Sequence, residues 1–123
     1  MLAGIDIVDI ERFRQTVLRT PRILKKLFTD AELEYCRLRA NPYPGLAVRF
    51  AAKEAVKKLD KSMQHGIKFK EIEVLNDPGG RPLLVLHGKA LQQHIDSGMG
   101  EISISLTHSQ NQAVALAVAR KGG

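Results

Sequence analysis

The sequence has no tryptophan, a single cysteine and few aromatic residues. Phe, Tyr and Trp together make up 5% of its 123 residues. With only Cys36 available, the chain cannot form an internal disulfide, which fits the reducing cytoplasm. The low aromatic content offers little material for a base-stacking surface, and no zinc-finger spacing or aromatic RNA-binding motif occurs. Nucleic-acid binding is therefore a secondary hypothesis.

Long apolar runs are also missing. No segment is long enough to span a bilayer. The opening residues, MLAGIDIVDIERF, do not fit a signal peptide, because no basic region precedes the apolar residues and acids interrupt them at once. We expect one domain over residues 1–123 that acts in the cytoplasm without a membrane partner.

The charge balance is basic. Nineteen Lys and Arg stand against thirteen Asp and Glu, for a formal net charge of +6. This excess attracts polyanions in general, such as a phosphorylated small molecule, nucleic acid or an acidic protein, and it does not choose among them.

The hydrophobic periodicity predicts an α+β fold, with helices mainly in the first half and antiparallel strands in the second. In the first strand, Ile5 and Ile7 should face one side and Asp6 and Val8 the other. A capping box, Thr29 with Glu32, marks one helix start. The predicted helices cover 10–19, 29–38, 49–59 and 89–95, and the predicted strands cover 2–8, 69–74, 83–86, 101–106 and 112–119. A break is expected at 41–45, a turn at 76–82, and a loop, THSQNQ, between the last two strands.

One glutamate lies among the cations of the helix RFAAKEAVKKL, residues 49–59. Helical spacing predicts an apolar face and an opposite row formed by Arg49, Lys53 and Lys57, with Glu54 beside that row. The first interpretation is an ordinary surface pair between Glu54 and Lys58, worth a few tenths of a kcal/mol. The second is a carboxylate that holds a metal while the cations hold phosphates.

Asp6 favours the second interpretation. An acid within a buried-looking strand is costly unless it is paired or binds a cation. Together with Glu54 it could supply two carboxylate oxygens to Mg²⁺, which commonly takes one or two protein carboxylates and completes its shell with water and substrate phosphates. His108, in the SLTHS segment, is a third polar residue that either links a tight loop or contacts phosphate.

The order of several motifs resembles the holo-acyl-carrier-protein synthases, the small single-domain class of 4′-phosphopantetheinyl transferases. The resemblance covers nearly the whole chain and rests on GIDIVDIERF, FTDAELEYC, RFAAKEAVKKL, NDPGGRP and ISISLTHS. The FxxKEAxxK pattern is specific, and the GxD pattern that ends at Asp6 is its weaker companion.

This resemblance implies an enzyme that moves the phosphopantetheine arm of coenzyme A onto a serine of apo acyl carrier protein, in support of fatty acid biosynthesis. It implies Mg²⁺ held by Asp6 and Glu54, Lys53 and Lys58 near the pyrophosphate, and Arg49 and His108 at the nucleotide end. It also implies a homotrimer with active sites between subunits. Either Glu54 or a metal-held water would accept the serine proton, and Lys58 would neutralise charge in the reaction.

One feature of the sequence departs from the family. The family usually carries a glycine-rich loop after the KEA helix, whereas here the loop reads DKSMQHG with Gly66 alone.

In the family the first helix helps to dock the acidic carrier protein, and Arg12 and Arg19, seven residues apart, would share one face of it. The alternative is a non-catalytic basic module that binds nucleic acid or another polyanion.

Overall fold

The computed structural model describes residues 1–122 and has five α-helices and five strands in that range. The helices are α1 (Ile10–Arg19), α2 (Ile23–Leu27), α3 (Asp30–Arg37), α4 (Tyr43–Lys57) and α5 (Gly88–Ser97). The strands are β1 (Leu2–Asp9), β2 (Ile72–Asn76), β3 (Pro82–Leu86), β4 (Ser103–His108) and β5 (Gln112–Ala119). The predicted α+β class is confirmed. Within residues 1–122 no helix combines the length and apolarity needed to cross a bilayer.

Two separate antiparallel sheets make up the strand part of the fold. β5 lies between β1 and β4, with Leu2 opposite Ala119 and Ser103 opposite Val118. β2 and β3 form a hairpin of their own. The first strand and the last one along the chain are therefore neighbours, and Asp6 lies opposite Ala115.

Small residues let α4 lie close against the three-stranded sheet. Ala51, Ala52 and Ala55 on the helix are fully buried, as are alternate alanines of β5, beginning with Ala113. On the opposite side, α1, α3 and β2 also pack against α4. The helix is thus covered on both sides rather than lying on the surface.

Several local predictions are confirmed. Asp9 caps α1, its side chain accepting from the backbone N–H of Arg12 at 2.8 Å. The capping box at the start of α3 is formed on both sides, between Thr29 and Glu32. The hairpin around the 76–82 turn also forms as predicted.

The structure corrects other local predictions. α4 begins at Tyr43, six residues earlier than predicted, because Pro44 lies in the first turn, where its missing N–H costs nothing. Residues 69–71 form a 3₁₀ turn rather than the start of a strand. β4 continues through His108, so Thr107 and His108 belong to a strand and not to the loop. The sequence pattern does not predict α2.

Candidate active site

Asp6 and Glu54 line one cleft of about 650 Å³ between β1, α1 and α4. Strand alternation turns Asp6 inward, while its neighbours Ile5 and Ile7 face outward and are about 60% exposed. The predicted division of β1 into two faces is therefore correct. Phe13 and Phe50 form part of the apolar wall beside the two carboxylates.

Gly4 allows β1 to approach α4 closely at this point. A Cβ atom on Gly4 would lie 2.0 Å from the carbonyl oxygen of Ala55 and 3.2 Å from the Cβ of Lys58. Such a contact excludes every residue with a side chain unless the strand moves away. The GxD pattern thus has a geometric reason, since the glycine brings the aspartate beside the helix that carries Glu54.

Lys58 lies against Asp6. Its ammonium donates to Oδ1 of Asp6 at 2.8 Å and to the carbonyl of Ile5 at 3.2 Å, and its side chain is half exposed. Lys58, at the end of α4, therefore pairs with Asp6 on β1. The alternative surface pair between Lys58 and Glu54 does not form among the described residues. Its exposure leaves it able to meet a substrate oxygen.

The two carboxylates fit a divalent cation. Within residues 1–122 the Glu54 carboxylate accepts no hydrogen bond from another residue, and Asp6 receives bonds on Oδ1 alone. No group of three or more acidic, His or Cys side chains suited to a metal occurs in that part of the chain. Mg²⁺ is commonly bound by one or two protein carboxylates, and water and substrate phosphates fill its remaining coordination positions.

Lys53 does not line the cleft that holds Asp6 and Glu54, and its burial argues against the predicted place beside the pyrophosphate. Its side chain is fully buried, and its ammonium donates to Glu32 at 2.8 Å and to the carbonyls of Phe69 and Ile72. All three N–H groups are thereby used. Burial lowers the pKa of Lys53, and the Glu32 carboxylate opposes that change. The predicted outward row on α4 fails for Lys53 and Arg49, because α3 and β2 cover this side of the helix.

Arg49 and His108 line a second cleft, of about 1230 Å³, between α3, α4, the hairpin and β4. Arg49 is only 4% exposed, and its guanidinium lies 4.7 Å from the ring centre of Tyr35. His108 is exposed at the end of β4. The two residues therefore line the same cleft. Their role toward a nucleotide stays a prediction.

The predicted site residues thus fall into two groups on one chain. Asp6 and Glu54 belong to the first cleft, and Arg49 and His108 to the second. No lining residue is common to both clefts in the described part of the chain. The two pairs of residues therefore belong to different clefts of the same chain, although Arg49 and Glu54 are both on α4.

The basic face of α1 extends from the first cleft. Arg12 lines that cleft, and Arg12 and Arg19 are both exposed. Arg14 is engaged elsewhere, since it bonds to Glu11 at 2.9 Å and lies 5.8 Å from the ring centre of Tyr43. Leu18, on the same helix, is 54% exposed.

The sequence-based interpretation missed a buried polar network. Glu32 accepts from the backbone N–H of Val74 at 2.9 Å as well as from Lys53, and Thr29 donates to Glu73. Glu73 in turn bonds to His87 at 2.8 Å. The capping box predicts the place of Glu32 at the start of α3. It does not predict the bond between Glu32 and Lys53, which joins residues 21 positions apart in the sequence.

Comparison with known proteins gives consistent results. The model of the 4′-phosphopantetheinyl transferase superfamily matches residues 3–119. The holo-[acyl-carrier-protein] synthase of Syntrophus aciditrophicus is 46% identical over 117 residues, 94% of this chain and 91% of that protein. The enzyme of the same name from Moorella thermoacetica is 43% identical over 116 residues, with 94% and 91% coverage.

Solved structures agree in fold. A complex of ACPS with CoA from Chronobacterium ammoniagenes superposes with a TM-score of 0.87 at 29% identity, covering 99% of this chain and 98% of the other. Helicobacter pylori holo-[acyl-carrier-protein] synthase in complex with coenzyme A gives a TM-score of 0.78 at 28% identity, with 96% and 99% coverage.

Proposed function

The chain belongs to the 4′-phosphopantetheinyl transferase superfamily, and from this premise we propose that it transfers the phosphopantetheine arm of coenzyme A to a serine of apo acyl carrier protein. The similarity to holo-[acyl-carrier-protein] synthases over nearly the whole chain supports the reaction. The observation that carries the proposal is the meeting of Asp6 and Glu54 at one cleft, with Lys58 bonded to Asp6. A cytoplasmic role in fatty acid biosynthesis follows from the family.

The reaction exchanges one phosphorus–oxygen bond for another. The serine oxygen attacks the β-phosphorus of coenzyme A, and the bond from that phosphorus to the oxygen of the adenosine-bearing phosphate breaks. Adenosine 3′,5′-bisphosphate leaves with the electron pair, and the serine loses its proton. The Glu54 carboxylate, free of hydrogen bonds from the described residues, is suited to take that proton. The Lys58 ammonium is suited to neutralise charge on the phosphoryl oxygens.

Mg²⁺ is the proposed metal. Asp6 and Glu54 would hold it, and when bound it would neutralise charge on the diphosphate. The chain's own contribution is to hold Asp6 beside the helix that carries Glu54, through the close contact of Gly4 with α4 and the bond from Lys58 to Asp6.

Mass spectrometry tests the reaction directly. The protein is incubated with apo acyl carrier protein, coenzyme A and Mg²⁺, and the carrier should gain the mass of one phosphopantetheine arm. A carrier whose modified serine is replaced by alanine is the control. An unchanged carrier mass after prolonged incubation would contradict the proposal.

We also propose a homotrimer with active sites between subunits. The outer face of the sheet supports it, because Ile5 and Ile7 on β1 and Leu116 on β5 form an exposed apolar surface. The separation of the predicted site residues into two clefts supports it as well, since one copy could bring Arg49 to the Glu54 of the next.

Mixing Glu54→Gln with Arg49→Ala tests the shared site, at a coenzyme A concentration where neither variant alone has appreciable activity. In a ring of three copies each site takes Glu54 from one subunit and Arg49 from its neighbour, so random mixing of Glu54→Gln and Arg49→Ala should leave about a quarter of the sites intact. We expect about a quarter of the parent activity after co-expression, and a trimer by light scattering. An active monomer would contradict the arrangement. So would co-expressed variants whose activity does not exceed that of each variant alone.

The basic face of α1 is the proposed dock for the acidic carrier. Arg12 lies at the edge of the cleft that holds Asp6 and Glu54, and Arg19 follows on the same helix face. Charges at the rim of an interface act mainly on the association rate and are screened by salt.

Charge reversal at Arg12 should therefore act on the carrier alone. We expect Arg12→Glu to lower kcat/KM for the carrier on the order of tenfold at low salt and to flatten its salt dependence. KM for coenzyme A should stay within about twofold. Arg14→Glu is the matched control, because Arg14 is turned toward Glu11 and Tyr43. Equal carrier kinetics for parent and Arg12→Glu across a salt series would exclude this face as the dock.

A further inference from the structure

Arg49 is a buried cation with no acidic partner among the described residues. It is 4% exposed, and no salt bridge involves it within residues 1–122. Its protein contacts are neutral: Nη1 donates to the carbonyl of Gly45 at 3.1 Å, Nη2 donates to Oδ1 of Asn76, and the Tyr35 ring lies against the guanidinium. Its buried Nε has no partner in the same range. Burying a charge without compensation is costly, so this arrangement keeps a positive charge available for an anion.

Asn76 connects Arg49 to the turn of the β2–β3 hairpin. Its Oδ1 accepts from Arg49, and its Nδ2 donates to the carbonyl of Gly80 at 3.0 Å. The turn is itself closed by Asp77, whose backbone and side chain bond to Arg81. One amide side chain thus fixes the direction of the guanidinium and joins α4 to the turn that lines the same cleft.

The amide of Asn76 carries no charge, so it can bond to Arg49 without neutralising the guanidinium. A carboxylate at position 76 would hold Arg49 equally well but would neutralise it. We propose that Asn76 is a positioning residue for the donor nucleotide: it orients Arg49 while leaving the full charge of the guanidinium for a phosphate of coenzyme A. This inference rests on the proposed function, since it requires that the second cleft receives coenzyme A.

Asn76→Asp is the decisive substitution, because it keeps the shape and the oxygen that accepts from Arg49 and adds a negative charge. It also removes the bond from Nδ2 to Gly80, a loss that the double-mutant cycle below separates from the effect of charge. We expect KM for coenzyme A to rise at least about tenfold, and the Kd for adenosine 3′,5′-bisphosphate, measured by calorimetry, to rise by the same factor. This is roughly the effect of losing one interaction between the charge of Arg49 and a phosphate. Turnover at saturation and KM for the carrier should stay within about twofold. The melting temperature should shift by no more than about 5 °C, because the link to Arg49 remains.

A double-mutant cycle separates this role from a structural one. If Asn76 acts through Arg49, adding Asn76→Asp to Arg49→Ala should cause no further loss of nucleotide affinity. Asn111→Asp, in the exposed turn between β4 and β5 and outside the cleft lining, adds the same charge as a control and should leave affinity within about twofold.

The outcomes are distinct. Parent-like affinity of Asn76→Asp, an equal loss in the Arg49→Ala background, or an equal loss in Asn111→Asp would overturn the inference while arm transfer by the parent protein stands. A parent protein that neither binds coenzyme A nor modifies the carrier would overturn the proposed function and this inference with it.

Discussion

Asp6→Asn and Glu54→Gln should each lower phosphopantetheine transfer by at least about a thousandfold, because each removes a carboxylate charge from the proposed metal site. The amides keep the shape of the side chains, so the fold should persist. The amide oxygen introduced by Asp6→Asn could still accept from Lys58, which makes charge, rather than the loss of that bond, the variable under test. The melting temperature of each variant should stay within about 5 °C of the parent.

A second measurement does not depend on turnover. Mg²⁺ or Mn²⁺ should raise the melting temperature of the parent protein in the presence of coenzyme A, and this rise should be absent in both variants. Asp9→Asn is the matched control, because it removes the same charge from the same cleft and strand while an asparagine still caps α1. We expect the control to keep turnover within a few-fold. Normal metal-dependent turnover in Asp6→Asn or Glu54→Gln would reject the metal assignment.

Lys53→Met should have the largest effect on stability. The substitution leaves the Glu32 carboxylate buried without its cation and removes the donor to the carbonyls of Phe69 and Ile72. Breaking a buried ion pair from one side typically costs about 3–5 kcal/mol of unfolding free energy. Urea denaturation at one fixed protein concentration measures the loss, since the stability of an oligomer depends on concentration.

Two further variants identify the cause. Adding Glu32→Gln to Lys53→Met removes the unpaired charge. It should recover only about half of the loss, because the N–H groups of Thr29 and Val74 donate to different oxygens of Glu32 and the single amide oxygen of glutamine keeps one of these bonds. Lys57→Met, one turn along α4 and packed on Phe69, should cost less than about 1 kcal/mol. A Lys53→Met protein as stable as the parent, with weaker binding of coenzyme A, would return Lys53 to the pyrophosphate site.

The identity of the elements could be predicted because it depends on neighbouring residues. The Asp9 cap, the capping box, the alternation of Ile5 and Ile7 with Asp6, and the hairpin turn all involve contacts within a few residues. The FxxKEAxxK and GxD patterns likewise placed Asp6 and Glu54, which the structure brings to one cleft.

The predictions that failed concern residues whose surroundings depend on contacts between distant segments of the chain. The periodicity of residues 49–59 predicts a solvated basic row, yet Arg49 and Lys53 are buried because α3 and the β2–β3 hairpin cover that side. Helical periodicity gives the direction of a side chain but not what packs there. Asn76 was similarly hidden within a segment that the sequence marked only as a turn.

The pairing of β1 with β5 sets an order for biosynthesis. Asp6 is translated before α4, but the strand that holds β1 in the sheet spans Gln112–Ala119 and is translated last of the five strands. Until β5 has emerged, β1 lacks its neighbouring strand, and Asp6 depends for its place on the contacts that Gly4 and Lys58 make between β1 and α4. Each nascent chain can therefore complete the sheet beside the cleft of Asp6 and Glu54 only after β5 has been made, by joining segments more than 100 residues apart.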